Sequence, residues 1–284
     1  MAQTMIRGAV VVTGASSGIG KAIALRLDRM GFHVLAGARR EEDGEALRAA
    51  ASNGLEPLYI DVTQQHSIDE AERVVAQAGY VVVGLVNNAG IGIGGPYEVL
   101  PMERIREQLE VNFFGQVAVS QAFIPHLRKV KGRIVNMGSI AGRVAAPYVG
   151  PYSASKFALE AFTDSLRIEL TPWEIKVAIV EPGRIETPIW GKARDSAAQL
   201  PDDLSEEALA LYGDALDRVG GWIDRAETNA IDADEVVKAV VHALTAKYPK
   251  TRYLVGKDAK RQALFARWVP TAVRDWLVRR RLGL

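Results

Sequence analysis

Short runs of valine, isoleucine and leucine alternate along the chain with longer segments of helical period, and this alternation constrains the fold most. The runs are "GAVVVTG", "HVLAGA", "EPLYIDV", "VVVGLVNNAG", "GRIVNMGS", "IKVAIVEPG" and, after a polar stretch, "TRYLVG". Strands that are apolar throughout are buried on both faces, as in a parallel sheet covered by helices. The sequence therefore predicts an α/β fold: a doubly wound parallel sheet of about seven strands with helices on both faces.

The alternation runs through nearly the whole chain of 284 residues, and no Pro-, Gly- or Ser-rich linker divides it. We therefore expect a single domain over residues 1–284. The polar stretch at about 188–232 breaks the rhythm and predicts a helical lid inserted beside the sheet. The segment at about 257–284 interleaves apolar and basic side chains, and we interpret it as a basic amphipathic extension.

Composition excludes several classes of function. The 35 Lys and Arg against 34 Asp and Glu give a net charge of +1, so nothing favours a nucleic-acid partner. The chain has no cysteine, and its four histidines show no ligand spacing, so we expect neither a disulfide nor a metal site. The N-terminus does not resemble a signal peptide, and no apolar run approaches the ~18 residues of a membrane span. These features predict a cytoplasmic protein that acts on small molecules.

Three glycines in "VVTGASSGIGKAI" stand where the first strand should turn into the first helix. Gly14 permits a sharp turn, Gly18 lets the backbone approach a pyrophosphate, and Gly20 lets the helix pack close to the strand. The N–H groups at a helix start, together with the helix dipole, favour phosphate. The pattern predicts a dinucleotide site, and the alternative is a glycine loop that only turns the chain.

The G-x-x-x-G-x-G spacing of "TGASSGIG" resembles the short-chain dehydrogenase/reductase family, which has a Rossmann fold, and further motifs of that family follow in order. They are "DV" at Asp61 and Val62, "NNAG" at Asn87–Gly90, "LEVNFFG" around Asn112, "NMGSIAG" around Ser139, "YSASK" with Tyr152 and Lys156, and "EPGRIETP" with Pro182, Gly183 and Thr187. The resemblance covers nearly the whole chain.

The resemblance implies an NAD(P)-dependent oxidoreductase with a catalytic tetrad and a cofactor site. The implied catalytic residues are Asn112, Ser139, Tyr152 and Lys156. The implied cofactor-binding residues are Gly14, Ser16, Ser17, Gly18, Ile19, Gly20, Arg39, Asp61, Val62, Asn88, Ala89, Gly90, Tyr152, Lys156, Pro182, Gly183 and Thr187. By the same resemblance, Asp61 contacts the adenine, and the backbone carbonyl of Asn112 holds a water beside Lys156.

Tyr152 and Lys156 also point to this chemistry by themselves. Their i, i+4 spacing puts both side chains on one face of a helix. A phenol with a pKa of about 10 is a poor base at neutral pH, and a nearby ammonium, helped by a positive nicotinamide, lowers that pKa. Ser139 is placed to hydrogen-bond a substrate oxygen, so that proton transfer and hydride transfer are coupled. Each residue taken alone could instead be structural, with Ser139 a cap at a strand end.

The end of the second strand, "HVLAGARREED", determines which dinucleotide we expect. Ala38 occupies the position of an acid that would bind a ribose 2′-hydroxyl, and Arg39 follows it directly. An arginine here, with no acid at position 38, pairs with a 2′-phosphate, so we expect NADP(H). NAD(H) stays the alternative cofactor, because Ser17 replaces a basic residue that many NADP-dependent members carry. Arg39 and Arg40 could also be a solvated pair.

The substrate site should be formed by the loop after Ser139 and by the lid, whose side chains are substantially apolar. We expect Ser139, Val144, Tyr152 and Trp190 to bind a hydrophobic secondary alcohol or ketone. The stretches "GRVAAPYVGPYSASKFALEAFTDSLRIEL" and "PKTRYLVGKDAKRQALFARWVP" resemble the steroid and retinol dehydrogenase branch of the family, which implies a steroid-, retinoid- or lipid-like substrate. Any single lid side chain could equally pack against the sheet.

The sequence allows alternatives for the function, for the basic extension and for the oligomeric state. The chain could be a catalytically silent dinucleotide-binding regulator or an NAD-dependent member of the family. The basic extension could lie on an anionic membrane surface, but we favour packing against the lid or another subunit. Family members associate through two long helices, here Pro101–Lys129 and Tyr152–Leu170, so we expect a homodimer or homotetramer.

Overall fold

A sheet of seven parallel strands forms the centre of the fold. The computed structural model describes residues 8–187, 191, 205–228 and 230–282. Within these residues the strands are β1 (Ala9–Val12), β2 (His33–Ala38), β3 (Leu55–Tyr59), β4 (Val82–Asn87), β5 (Arg133–Met137), β6 (Lys176–Pro182) and β7 (Arg252–Val255). Their order is β3-β2-β1-β4-β5-β6-β7, and every neighbouring pair is parallel. The predicted doubly wound α/β fold is confirmed.

Helices cover both faces of the sheet. They are α1 (Gly18–Arg29), α2 (Glu41–Ala50), α3 (Gln65–Gln77), α4 (Met102–Leu109), α5 (Gly115–Val130), α6 (Gly150–Glu169), α7 (Glu206–Thr228), α8 (Asp234–Thr245), α9 (Lys257–Trp268) and α10 (Thr271–Leu282). Alternate residues of β1 enter two separate cores: Val10 and Val12 pack with α1 and α8, whereas Ala9 and Val11 pack with α3 and α5. Burial on both faces explains why the strand sequences are apolar at every position.

The chain changes its direction across the sheet between β1 and β4. From β1 it adds β2 and β3 on one side, and β4 then pairs with β1 on the other side, with Val11 opposite Leu85. The chain goes from β1 to α1 on one face of the sheet and from β4 to α5 on the other face, and doubly wound sheets bind ligands at such a reversal. Because all strands are parallel, the loops after β5 and β6 open at the same edge.

The backbone at the junction of β1 and α1 packs more closely than a side chain would permit. A Cβ added to Gly20 would lie 2.2 Å from the Gly14 carbonyl oxygen and 2.4 Å from Asn88 Nδ2. Gly14 has a φ of +62°, and a Cβ added there would lie 2.8 Å from the Ala89 Cα. These two glycines therefore let α1 start directly against β1 and the loop after β4.

The long helix predicted at Pro101–Lys129 is not uniformly α-helical. A five-residue π-helical turn, Glu110–Phe114, joins α4 to α5 without a loop, and Asn112 is fully buried within it. Such turns are rare and occur frequently at functional sites. The second predicted long helix, α6, begins slightly earlier than expected, with Pro151 in its first turn, where proline is tolerated.

The described part of the predicted lid is the helix α7. The lid residues outside the described part are 188–190, 192–204 and 229. The hydroxyl of Tyr212 on α7 donates to the Glu98 carboxylate, and Leu216 packs against Ile93. Both contacts place α7 beside the loop that follows β4.

The C-terminal extension consists of α9 and α10, which are separated at Pro270. Ala259 on α9 is buried, but Trp268 on α9 and Trp276 on α10 are more than half exposed. Among the helices that the structure describes, none is both long and apolar enough to cross a membrane. The apolar side chains of α10 are thus largely uncovered within the described residues.

Substituting Gly20 tests the close packing. We expect Gly20→Ala to lower the free energy of unfolding by about 1–3 kcal/mol, because its methyl group would overlap Gly14 and Asn88. Gly213→Ala on α7 is the control, since no described atom outside its own helix lies within 4 Å of the Cβ position, and alanine favours a helix over glycine by about 0.5–1 kcal/mol. Urea unfolding followed by circular dichroism measures both variants. A wild-type midpoint for Gly20→Ala would contradict the packing.

Candidate active site

The glycine loop leaves backbone N–H groups open at the start of α1. Gly14 and Gly18 both have left-handed φ angles, +62° and +54°. Ser17, which precedes α1, is extended and its side chain makes no capping hydrogen bond. Ser16 is half-buried in the loop, and Ile19 packs partly against the core. Among the residues that the structure describes, no side chain caps the first N–H groups of α1. With the helix dipole, these groups fit the diphosphate of a dinucleotide.

Thr13 ties the glycine loop to the loop after β4, a role that the sequence reasoning missed. Its hydroxyl accepts hydrogen bonds from the N–H groups of Asn88 at 2.9 Å and Ala89 at 3.1 Å. The Asn88 amide donates in return to the carbonyls of Thr13 at 3.0 Å and Gly14 at 3.1 Å. The predicted residues Asn88 and Ala89 are thus locked beside Gly14. A hydroxyl residue directly before the first loop glycine was the signal that could have found Thr13.

The two arginines after β2 have different surroundings. Ala38 ends β2 and is buried, and Arg39 is exposed. Arg40 forms a two-point ion pair with Asp43 of α2, with distances of 2.9 Å from Nε and 3.1 Å from Nη2. Within the described residues Arg39 makes no hydrogen bond or ion pair. Arg40 is therefore engaged in the protein, whereas the Arg39 guanidinium is free to bind an anion.

Asp61 and Val62 lie just beyond β3, at the same edge of the sheet. Oδ1 of Asp61 accepts hydrogen bonds from the N–H and the hydroxyl of Thr63, at 2.9 and 2.8 Å. Val62 is buried, and its carbonyl oxygen would lie 2.7 Å from a Cβ added to Gly115 at the start of α5. The Asp61 carboxylate is therefore held in one orientation, with α5 packed against the following residue.

Ser139, Tyr152 and Lys156 converge at the carboxyl end of β5. The Ser139 hydroxyl lies next to the Tyr152 phenol and interacts with it, and Nζ of Lys156 lies 5.7 Å from the centroid of the Tyr152 ring. The Ser139 hydroxyl also accepts a 3.1 Å hydrogen bond from the Ala141 N–H and so caps the short 3-10 turn Ile140–Gly142. Ser139 therefore has both of the roles that the sequence allowed, a cap and a partner of Tyr152.

Burial shifts the proton affinities of the lysine and the tyrosine. Nζ of Lys156 is buried and donates to the Met137 carbonyl at 2.8 Å, and burial lowers the pKa of Lys156 to about 8. Burial raises the pKa of the Tyr152 phenol, while the hydrogen bond with Ser139 lowers it. In the protein alone the net shift of the Tyr152 pKa is therefore upward, which sequence spacing could not indicate because it carries no measure of desolvation. The expected lowering counts on a bound nicotinamide as well as on Lys156, and it stays a prediction.

Asn112 connects the loop after β4 to the helix that carries Tyr152. Its Oδ1 accepts from the Ile91 N–H at 2.8 Å, and its Nδ2 donates to the Ile91 carbonyl at 3.0 Å and to Ser155 Oγ at 3.2 Å. Ser155 in turn donates to the Tyr152 carbonyl at 2.7 Å. Gly90 lies so near that an added Cβ would be 3.3 Å from Asn112 Oδ1. The Asn112 side chain thus positions both segments.

Two buried glutamines on either side of Asn112 continue this line of contacts, and the sequence reasoning missed them. Gln108 donates to the Ile91 carbonyl at 2.9 Å and accepts from the Ile93 N–H at 2.6 Å. Gln116 donates to the Ala89 carbonyl at 3.4 Å. Their spacing could have indicated them, because the side-chain amides at positions 108, 112 and 116 follow each other at four-residue intervals along one predicted helix. Together the three amides fix the backbone of the loop after β4.

The "EPGRIETP" segment leaves the end of β6 at the same edge. Pro182 ends β6, and the Gly183 N–H donates to the Val255 carbonyl at 2.9 Å. A Cβ added to Gly183 would lie 2.3 Å from Asp258 Oδ1, so any larger residue would displace the Asp258 side chain. Thr187 is half-buried. The structure thus places all three predicted residues of this segment beside the carboxyl end of β6.

The loop that follows Ser139 supplies one wall next to the tetrad. Val144 is half-buried in it, and Tyr148 has a positive φ of +65° and accepts from the Gly95 N–H at 2.7 Å through its carbonyl. This bond joins the loop to the segment after β4. The other predicted substrate contact, Trp190, lies outside the described residues.

Comparison with known proteins agrees with this arrangement. Residues 8–198 match the short chain dehydrogenase family. Retinol dehydrogenase 5 of Mus musculus is 38% identical over 278 residues, covering 94% of this chain and 86% of the mouse protein. The 3-amino-tetrahydro-pyrrolizinone reductase of Xenorhabdus hominickii is 37% identical over 267 residues, covering 90% and 89%. A short chain dehydrogenase from Burkholderia cenocepacia in complex with NADP superposes with a TM-score of 0.73 at 26% identity, covering 95% of this chain and 97% of that one.

The resemblance seen in the motifs extends over most of the chain in these relatives, among them retinol dehydrogenases and a bacterial reductase. The fold, with its crevice at the carboxyl edge of the sheet, is the fold of the matched structures. We conclude that the chain belongs to the short-chain dehydrogenase/reductase family, is an NAD(P)-dependent oxidoreductase, and resembles the retinol dehydrogenase-like branch of that family.

Proposed function

We propose that this enzyme interconverts a hydrophobic secondary alcohol and the corresponding ketone, with Tyr152 as general acid and base and NADP(H) as the preferred cofactor. The observation that carries the proposal is the convergence of Ser139 and Lys156 on Tyr152: a hydroxyl next to the phenol, and an ammonium 5.7 Å from the ring centroid. Together they supply orientation, a proton-transfer group and a stabilising charge, which proton transfer at an alcohol oxygen needs.

In the proposed mechanism a bound nicotinamide dinucleotide supplies the carbon that takes up or returns the hydride. During oxidation Oη of Tyr152, as phenolate, accepts the hydroxyl proton while the hydride leaves the adjacent substrate carbon. During reduction the neutral phenol returns that proton to the ketone oxygen. Oγ of Ser139 hydrogen-bonds the substrate oxygen and holds it within reach of Oη. The buried Lys156 ammonium stabilises the phenolate.

Each oxidation leaves a proton on Tyr152 that has to reach solvent. We assign its exit, by the family resemblance, to a water on the Asn112 backbone carbonyl beside Lys156. The π-helical turn around Asn112 supports this assignment, because it departs from the regular i→i−4 hydrogen-bond pattern of an α-helix. The Asn112 side chain is fully engaged with Ile91 and Ser155, so its role in the exit path would be that of a fixed backbone group.

The preference for NADP(H) is supported by the surroundings of the two arginines after β2. Arg39 is exposed and unpaired in the described part of the chain, and Ala38 brings no negative charge against a 2′-phosphate. The related structure from Burkholderia cenocepacia is a complex with NADP. Because Ser17 adds no second positive charge, we propose that NAD(H) is also accepted, but less well.

The proposed substrate is steroid-, retinoid- or lipid-like. Val144 presents an apolar, half-buried side chain in the loop that begins at Ser139. Two of the named relatives from Mus musculus are retinol dehydrogenases. Trp190 remains a proposed substrate contact from the lid. A predominantly apolar wall with a few polar groups at one point is the usual form of a site for such molecules.

We propose that the enzyme is a cytoplasmic homodimer or homotetramer that associates through the helical face of α5 and α6. Phe114, Phe157 and Ile168 are 51%, 44% and 68% exposed on or next to these helices. The groove between them is lined by apolar side chains including Ile124, Phe162 and Trp173. Exposed apolar patches of this kind mark association surfaces. We assign the uncovered side of α10 to contact with another subunit as well.

The Tyr152→Phe variant tests the proposed mechanism. Removal of the phenolic oxygen should lower kcat about 10²- to 10⁴-fold, because no other group then transfers the proton. Tyr248→Phe is the control, since Tyr248 is 79% exposed and distant in sequence from the tetrad, and it should keep wild-type turnover. The absorbance of reduced nicotinamide, followed with a panel of hydrophobic alcohols and ketones, measures both. Full activity of Tyr152→Phe would refute the mechanism, and no turnover by the wild type would favour the silent regulator.

The Arg39→Ala variant tests the cofactor preference. Loss of one charge-assisted contact should raise KM for NADPH by about tenfold or more and leave KM for NADH nearly unchanged. Arg40→Ala is a matched control, because Arg40 is paired with Asp43 and should not bind the phosphate. Initial rates with each cofactor give both constants. An equal rise of KM for NADPH and NADH in Arg39→Ala would contradict the assignment.

A further inference from the structure

Five charged side chains form an ionic cluster one helical turn beyond Lys156. The cluster consists of Arg143, Glu160, Asp164, Glu181 and Arg252. Arg143 donates to both carboxylate oxygens of Glu181, at 2.9 Å from Nη2 to Oε1. Arg252 donates from Nη1 to Glu160 and, at 3.2 Å, to Glu181, and from Nη2 to Asp164. Glu160 and Glu181 are both buried, so these charges interact in a medium that screens them weakly.

The ionic cluster joins the segments that form the site. Arg143 belongs to the loop that begins at Ser139, and Glu160 lies on α6. Glu181 is next to the last residue of β6, and Arg252 is the first residue of β7. A change of charge within the ionic cluster therefore changes the electrostatic potential at α6, the helix that carries Tyr152 and Lys156.

Glu160 and Lys156 are neighbours on the same face of α6 because they are four residues apart. Gly142 packs against this turn, where an added Cβ would lie 2.9 Å from the Lys156 carbonyl oxygen and 3.1 Å from Glu160 Cγ. Oε1 of Glu160 is buried and has no hydrogen-bond partner among the described residues. The Glu160 carboxylate is thus only partly neutralised by Arg252, and its remaining negative charge acts on Lys156.

The two groups influence each other's ionisation. Burial lowers the pKa of Lys156 to about 8, and the charge of Glu160 opposes that shift. Burial and the neighbouring Glu181 raise the pKa of Glu160 to about 7, whereas Arg252 and Arg143 lower it. Both groups therefore lose or gain their charge close to neutral pH, where each favours the charged form of the other.

We propose that Glu160 is a positioning residue for the reaction: its carboxylate, which is ionised above neutral pH with the help of Arg252, keeps Lys156 protonated beside Tyr152. Glu160 contacts neither substrate nor cofactor in this proposal and acts only through Lys156. The inference rests on the proposed function, in which the Lys156 ammonium stabilises the phenolate. The charged groups facing Glu160 are Lys156 and Asp164 on α6, Arg143 in the loop after β5, Glu181 on β6 and Arg252 on β7.

The direction of the pH effect follows from these charges. Alcohol oxidation requires Tyr152 as phenolate and Lys156 as ammonium, so kcat/KM should rise and then fall with increasing pH. From the phenolate–ammonium form the next proton to leave is that of Lys156, so the fall at alkaline pH reports its loss as the second step of the coupled Tyr152–Lys156 pair. Neutralising Glu160 removes a negative charge that favours the ammonium, so Lys156 loses its proton at lower pH. The alkaline limb of the profile should therefore move toward neutral pH.

The Glu160→Gln variant tests the inference through the pH dependence of kcat/KM for oxidation. We expect its alkaline limb to move down by about one pH unit. Asp164→Asn is the matched control: it also loses a contact with Arg252, but it lies two helical turns from Lys156 and should keep the wild-type limb. Glu160→Asp retains the negative charge, so the alkaline limb of its profile should stay at the wild-type pH although the rate is lower. A lower rate with an unmoved limb in Glu160→Gln, or an equal shift in Asp164→Asn, would overturn the proposal.

A second measurement decides the inference without turnover. In carbon-13 spectra of lysine-labelled protein, the Lys156 signal is assigned by its loss in Lys156→Arg. The pKa that this signal reports, about 8 in the wild type, should be lower in Glu160→Gln. Asp164→Asn, the same matched control, should leave this titration in place. An unmoved titration in Glu160→Gln, or an equal fall in Asp164→Asn, would overturn the proposal. If no alcohol is oxidised, the proposed function fails, and this titration still tests the link between Glu160 and Lys156.

Discussion

Lys156 carries an ammonium into the protein interior beside Tyr152, and the surrounding elements are arranged to tolerate that charge. Removing an ammonium from water costs several kcal/mol unless other polar groups replace the lost solvent. The Met137 carbonyl replaces one water at 2.8 Å, and the carboxylate of Glu160 follows one turn along α6. Arg252 then compensates Glu160 and ties α6 to β7. The position of α6 against the sheet is therefore fixed by charge as well as by apolar packing.

The nucleotide end of the crevice uses a different physical device. Gly14 and Gly20 let the start of α1 lie directly against the end of β1, and the Asn88 side-chain amide ties the glycine loop to the loop after β4. The start of α1 offers neutral N–H dipoles. Binding of a diphosphate to such a surface depends on preorganised backbone, with no lysine or arginine required. Arg39, by contrast, is a single exposed charge outside this cradle. Affinity for a dinucleotide and choice between dinucleotides are thus carried by separate parts of the chain.

The sequence predicted those features that leave a local trace. Burial on both faces of the sheet produces uninterrupted apolar runs, so the strands could be located, and the i, i+4 spacing of Tyr152 and Lys156 placed both on α6. The direction of the Tyr152 pKa shift could not be predicted, because desolvation depends on all neighbouring elements. The π-helical turn and the ionic cluster depend on contacts between distant segments, such as Asn112 with Ile91 and Arg143 with Glu181. Neither the π-helical turn nor the ionic cluster produces a periodic pattern that can be recognised in one sequence.

The π-helical turn Glu110–Phe114 also determines the rotational phase of α5. A π-turn holds about one residue more than an α-turn, so each later side chain is rotated by about 100° compared with a continuous α-helix. Ser120, which accepts from the Asn87 amide at 2.8 Å, and the fully buried Phe123 both follow this turn. Exchange of one side chain within the turn leaves their direction unchanged, whereas deletion of a single residue would point both away from the sheet. The number of residues in this segment therefore sets which side chains of α5 face the sheet.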